Sequence, residues 1–208
     1  MLALRNAPGL VPTAIAVVLL ASTASASAVV VIDQPVENSG IQIRAFSPVG
    51  QSFTAVTSNV TSIGAVVRNF NVQTPEWVAD RNLTLNLYEG LGFGGALLAT
   101  STVDVAAVIG DAPTVGGMVD FPILGATLTP GLTYTFGLVA NSPRYGVSTS
   151  HEVDAYALGR AFYQPIIPAF PLAEVSDLTF RVSAVPEPGM ALLMLSGLGL
   201  LALRRKRA

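Results

Sequence analysis

In residues 82–90, NLTLNLYEG, Leu83, Leu85 and Leu87 fall on one side of an extended chain and Thr84, Asn86 and Tyr88 on the other. Residues 132–140, LTYTFGLVA, repeat the alternation with Tyr134, Phe136, Leu138 and Ala140. Residues 177–185, DLTFRVSAV, do so again with Leu178, Phe180, Val182 and Ala184. Successive strand side chains point to opposite faces, so this period of two predicts strands with one buried face. A helix would need apolar residues three and four apart, and the body of the chain never sustains that period beyond about two turns. Ten prolines lie within residues 29–184, each removing a backbone donor and breaking helical continuity. Weaker strands are expected at 28–32, 51–56, 60–70, 96–105, 118–123 and 160–163, and Thr129-Pro130-Gly131 has the residue order of a type II turn. Many short strands between turn signals predict an all-β fold, a single antiparallel β-sandwich or jelly roll.

The two ends depart from this pattern. Residues 1–28 carry one charge, Arg5, then an apolar stretch at 14–21, then Ala-Ser-Ala patterns ending at Ala26 and Ala28. That is the layout of a secretory signal peptide, cleaved after one of those two alanines. Its apolar stretch is too short for a hydrocarbon layer of about 30 Å, which argues against a permanent N-terminal anchor. Residues 189–203 are also free of charge, but as a helix they reach only about 22 Å, short for a stable span unless flanking basic side chains snorkel outward. Arg204, Arg205, Lys206 and Arg207 should stay cytoplasmic, which leaves residues 29–185 outside. The expected organisation is a signal peptide at 1–28, an ectodomain at 29–184, and a C-terminal signal at 185–208 that includes a short transmembrane helix.

Val185, Pro186, Glu187 and Pro188, followed by the apolar run and the basic cluster, resemble the PEP-CTERM sorting signal found on exported proteins of Gram-negative, biofilm-forming bacteria. The resemblance covers about the last two dozen residues. It implies a partner, the integral-membrane cysteine transpeptidase exosortase, which recognises Pro-Glu-Pro and releases or transfers the protein. The motif's own chemistry suits that use. Two prolines fix φ, remove two N–H donors and hold their preceding residues away from the helical region, so the segment stays extended outside the bilayer. The body resembles an exported β-sandwich type seen upstream of such signals, through GQSFTA at 50–55, LTLNLYEG followed by GGALLAT, LTPGLTYTFGL, the stretch at 144–163, and DLTFRV. This second resemblance implies a fold shared with carbohydrate-binding jelly rolls. Taken together, the resemblances imply a tethered inner-membrane intermediate, then a cell-surface or extracellular-matrix protein without enzymatic activity. The alternatives are a permanently anchored surface hydrolase and a purely structural matrix protein.

Composition narrows the chemistry. Residues 29–185 hold six Arg and twelve Asp or Glu, a net charge of 6 − 12 = −6, and the basic residues near the C-terminus mask this in the overall −2. A body so acidic repels phosphate backbones, so no nucleic-acid partner is expected. The absence of cysteine excludes disulfides and thiolate chemistry. Gly90, Gly92 and Gly95 satisfy G-x-G-x-x-G, but the phrase leads into a strand pattern rather than a helix, so it reads as a hairpin loop. His151 is the only histidine, so a metal triad built on histidine is excluded, and no G-x-S-x-G elbow accompanies it. No catalytic residue and no cofactor are expected. Calcium held by Asp33, Asp111, Glu152 and Asp154 is the weaker alternative to solvated acids. Contact with exopolysaccharide would use exposed rings beside hydrogen-bonding groups, and Trp77, Tyr145 and Tyr156 are the candidates.

Overall fold

The computed structural model describes residues 27–70, 79–112, 114–163 and 176–185. Most of the signal segment, Trp77, the motif residues Pro186, Glu187 and Pro188, the expected transmembrane helix and the basic cluster lie outside the described residues. The fold is all-β, built from two antiparallel sheets. In chain order the strands are β1 (Val29–Gln34), β2 (Ser39–Gln42), β3 (Val49–Thr54), β4 (Val60–Asn69), β5 (Asn82–Glu89), β6 (Leu97–Asp104), β7 (Gly116–Pro122), β8 (Thr133–Val139), β9 (Tyr145–Thr149), β10 (Ala161–Tyr163) and β11 (Phe180–Ala184). A short helix, α1 (Val105–Ile109), follows β6.

The six-stranded sheet is organised on β4. One edge of β4 pairs with β7, from Ser62 opposite Pro122 to Arg68 opposite Gly116. Its other edge is shared: β11 pairs with Val60 to Ala65, and β9 takes over at Val67 to Asn69. Outside these, β1 pairs with β11 and β2 with β9. The five-stranded sheet has the order β10-β3-β8-β5-β6.

The three alternating windows become β5, β8 and β11, and their apolar faces meet. Leu83, Leu85, Leu87, Phe136 and Leu138 of one sheet and Ile63, Val67, Phe180 and Val182 of the other are essentially fully buried in one cluster. The Phe136 and Phe180 rings join the sheets at 5.6 Å. Burying one such ring stabilises the fold by roughly 2–3 kcal/mol. The β6 pattern, expected to run through Val105, stops at Asp104. There the carboxylate accepts the Ala107 N–H at 3.0 Å and caps α1 instead.

The glycine-rich phrase is a hairpin loop between β5 and β6. Gly90 and Gly92 adopt φ of 78° and 82°, open to glycine without strain. Thr135 Oγ1 accepts the Gly92 N–H and donates to the Gly90 carbonyl, both at 2.8 Å, which folds the loop back over the outer face of the sheet. Phe93 then sits on the side-chain-free backbone of Gly50 and Gly137, edge-on to Tyr88 and Phe162. No helix opens from this loop to meet a phosphate.

Candidate functional site

The first functional feature is the junction between the body and its tail. Ala184, the last residue of β11, lies between Val29 of β1 and Val60 of β4. Thr61 Oγ1 donates to the Ser183 carbonyl at 3.2 Å, and the Val185 N–H donates to the Asn59 carbonyl at 3.1 Å. Val185 of the expected sorting motif is therefore tied to the body. The next residue is Pro186, which has no N–H to continue the ladder. The chain enters the body at Val29 and leaves it at Ala184, directly opposite.

The second feature is a groove of about 450 Å³ on the outer face of the six-stranded sheet, lined by Asp33, Glu37, Val66, Arg68, Met118 and Thr179 among others. The pairing explains its shape. Asp120, Gly64, Arg181 and Asp33 face one another across β7, β4, β11 and β1. Because Gly64 has no side chain, Arg181 passes over it and forms a two-pronged ion pair with Asp120. That hydrogen bond raises the Arg181 pKa, so the bridge stays charged. Four residues along β4, Arg68 donates from Nε to Ser148 Oγ at 2.7 Å and pairs with Glu37 at 3.2 Å. Between these two charged rows Val66 and Met118 supply an apolar floor. The rows are separated by about 13 Å of strand. At the same edge as Arg68, the Phe70 ring covers Gly146 and remains 36% exposed.

Two of the three rings expected to meet a glycan are turned inward. Tyr145 is fully buried beneath Arg144, whose guanidinium lies 5.1 Å from its ring, and its hydroxyl donates to the Arg81 carbonyl. The period-two face of β9 directs Tyr145 and Val147 to the core, which the isolated ring in the sequence did not reveal. Tyr156 is half-buried, edge-on to Phe180 at 5.3 Å, with its hydroxyl buried beside the Thr54 backbone. Tyr145, at 0% exposure, offers no face to a sugar.

The acids considered for calcium are dispersed. Asp111 is taken up by Arg144 and by Arg81 at 2.9 Å, and the Arg144 hydrogen bond lowers its pKa. Glu152 lies 3.6 Å from His151 in an exposed turn, and Asp33 faces Arg181. Among the described residues no group of three His, Asp or Glu could hold a metal ion, and no helix is long and apolar enough to cross a membrane. The sequence missed one buried acid. Asp177 is 1% exposed, accepts the Ala155 and Tyr156 N–H groups at 2.9 Å and the Gln51 amide at 2.7 Å, and its pKa is raised by burial. These bonds fix the 150–156 segment to β3 and leave no open cleft at the carboxylate.

A β-sheet body whose last strand closes immediately before a Pro-Glu-Pro segment, an apolar run and a basic end defines a protein with a C-terminal sorting tail. Residues 184–207 match the family model of the PEP-CTERM protein-sorting motif. The motif indicates an exported protein with exosortase as its processing partner and with membrane-associated sorting. No curated protein matches the chain.

Proposed function

We propose that this chain is a non-enzymatic β-sandwich, exported by its signal peptide, held at the inner membrane by residues 189–203, and cut by exosortase near Pro186 to Pro188. It is then left at the cell surface or in the extracellular matrix. The observation that carries this reading is the junction. Among the described residues the core and its hydrogen bonds end with Val185, and a cut beyond it leaves every described strand of the sheet intact. Mass spectrometry of the mature protein tests it. The expected C-terminus lies within or just before the Pro-Glu-Pro segment, and an intact chain through Arg207 in growing cells would refute removal.

The exopolysaccharide contact is best supported at the groove rather than at the tyrosines. Carboxylates and guanidinium groups are fixed in place beside an apolar floor and the exposed Phe70 ring, the combination that sugars require. On a glycan array, Arg68→Ala and Phe70→Ala are expected to lose at least tenfold in signal. Trp77→Ala tests the ring outside the described residues. A purely structural matrix protein would leave the array blank for every variant. An anchored hydrolase would instead show turnover lost in His151→Ala.

A further inference from the structure

Strand pairing gathers most of the large exposed apolar side chains of the described residues at one end of the body, the end from which both terminal segments leave. Val29 and Val30 open β1 there, 46% and 50% exposed. Leu124 (82% exposed) follows β7, next to Thr61 through the Ile123 N–H. Val56 and Leu132 flank the Ala55–Leu132 backbone bond that joins the β3 and β8 ends. Leu91 and Leu97 bracket the β5–β6 hairpin, and Leu158 accepts from Thr54 at the end of β3. Val56, Leu91, Leu97, Leu124 and Leu158 are each more than half exposed, and Leu132 is 50% exposed. The described charges at this end are few: Glu89 closes β5, and Arg160 lies at the margin. At the opposite end Asp80, Arg81, Asp104, Asp111 and Arg144 are concentrated.

We infer that this apolar end is a membrane-contact surface, resting on the phospholipid interface while the C-terminal run is inserted. The inference rests on the sorting reading above, in which residues 189–203 enter the bilayer. The tether sets the geometry. From Val185 to residue 189 there are four backbone steps, at most about 14 Å when extended, so this end cannot leave the membrane while the tail is embedded. Loop-tip leucines held there exchange water for the acyl boundary, and the charged end faces away from an anionic leaflet that would repel an acidic body. The occupant is lipid, because the neighbouring tail delivers this end to lipid whichever protein is nearby.

The absence of cysteine makes the test direct. Full-length chain carrying Leu124→Cys, or Val108→Cys in α1 at the charged end, is labelled with an environment-sensitive fluorophore and reconstituted into phosphatidylethanolamine–phosphatidylglycerol vesicles containing headgroup-nitroxide lipid. Quenching at position 124 is expected to exceed that at 108 by at least threefold. Adding Leu97→Asp and Leu132→Asp should reduce the 124 signal to the 108 level while circular dichroism stays unchanged. Equal quenching at the two positions in chain that resists carbonate extraction overturns the membrane contact and spares the sorting reading. Chain that carbonate extracts overturns both. Quenching at 124 that appears only when exosortase is present in the vesicles assigns the surface to the enzyme and overturns the lipid contact.

Discussion

Asp177 shows how one buried side chain fixes a loop. Its carboxylate answers two backbone N–H groups and the Gln51 amide, and its own N–H donates to Ser150 Oγ at 3.1 Å. Asp177→Ala takes the acceptor from two part-buried backbone donors and one of the two acceptors from the buried Gln51 amide, so the loss should be about 3 kcal/mol in urea denaturation. The pH dependence runs opposite to that of a salt-bridged acid. Burial raises the folded-state pKa above the ordinary value of about 4, so the folded protein binds this proton more readily than the unfolded chain. The group's contribution is full below the unfolded pKa and is lost as pH rises through the raised folded value. Relative to Asp177→Asn, the wild type should therefore lose stability between acid and neutral pH. A gap that widens in its favour as pH rises would contradict burial as the dominant cause. Asp104 has the opposite sign. Its pKa is lowered first by the Ala107 N–H, then by the Arg81 hydrogen bond, so its contribution is present above the ordinary carboxylate pKa and disappears as pH falls. Asp104→Asn should cost stability at pH 7, and the difference should close in acid.

Among the elements, the β5–β6 hairpin joins local turn chemistry to packing on the sheet. Phe93 is half-buried over two glycines, so Phe93→Ala should destabilise by about 2 kcal/mol, less than the 3–5 typical of a fully buried ring. Gly137→Leu should be worse, since any Cβ there already meets the Phe93 ring at 2.9 Å. Thermal melts of the two variants check the order. The hairpin was legible in the sequence because its determinants are local: glycines at the turn and alternation on both sides. The same locality made β5, β8 and β11 readable. Two strands were not: β2 has only four residues and one glycine, and β9 carries Gly146 beneath Phe70 with all five positions buried, so no polar face marks it. The groove was illegible for a different reason. Asp33, Arg68, Met118 and Thr179 come from four distant parts of the chain, and only the pairing of β4 with β7 and β11, and of β11 with β1, brings them to one face. Ring type alone likewise could not say that Tyr145 points inward and Phe70 outward; that depends on strand register.

For the molecule as a whole, the position of β11 determines when the chain can fold and what processing can remove. This strand is the last of the body yet lies inside the sheet, with β1 on one side and β4 on the other. Phe180, Val182 and Ala184 are each buried to within 1% and contribute to the core shared by both sheets. A chain that has not yet released residues 180–184 therefore lacks an internal strand and leaves two edges, on β1 and β4, open to mispairing. Completion of the six-stranded sheet therefore requires residues 180–184. Cleavage beyond Val185 removes none of these contacts, whereas cleavage a few residues earlier would remove them all. A chain of residues 29–185 should melt within about 2 °C of the longer protein in detergent, with the same near-ultraviolet circular dichroism. A chain of residues 29–179 should show no cooperative transition, because the loss of Phe180 and Val182 alone costs roughly 5 kcal/mol, comparable to the whole stability of a small domain. If the shorter chain melts cooperatively, β11 is an accessory strand, and processing has no need to spare it.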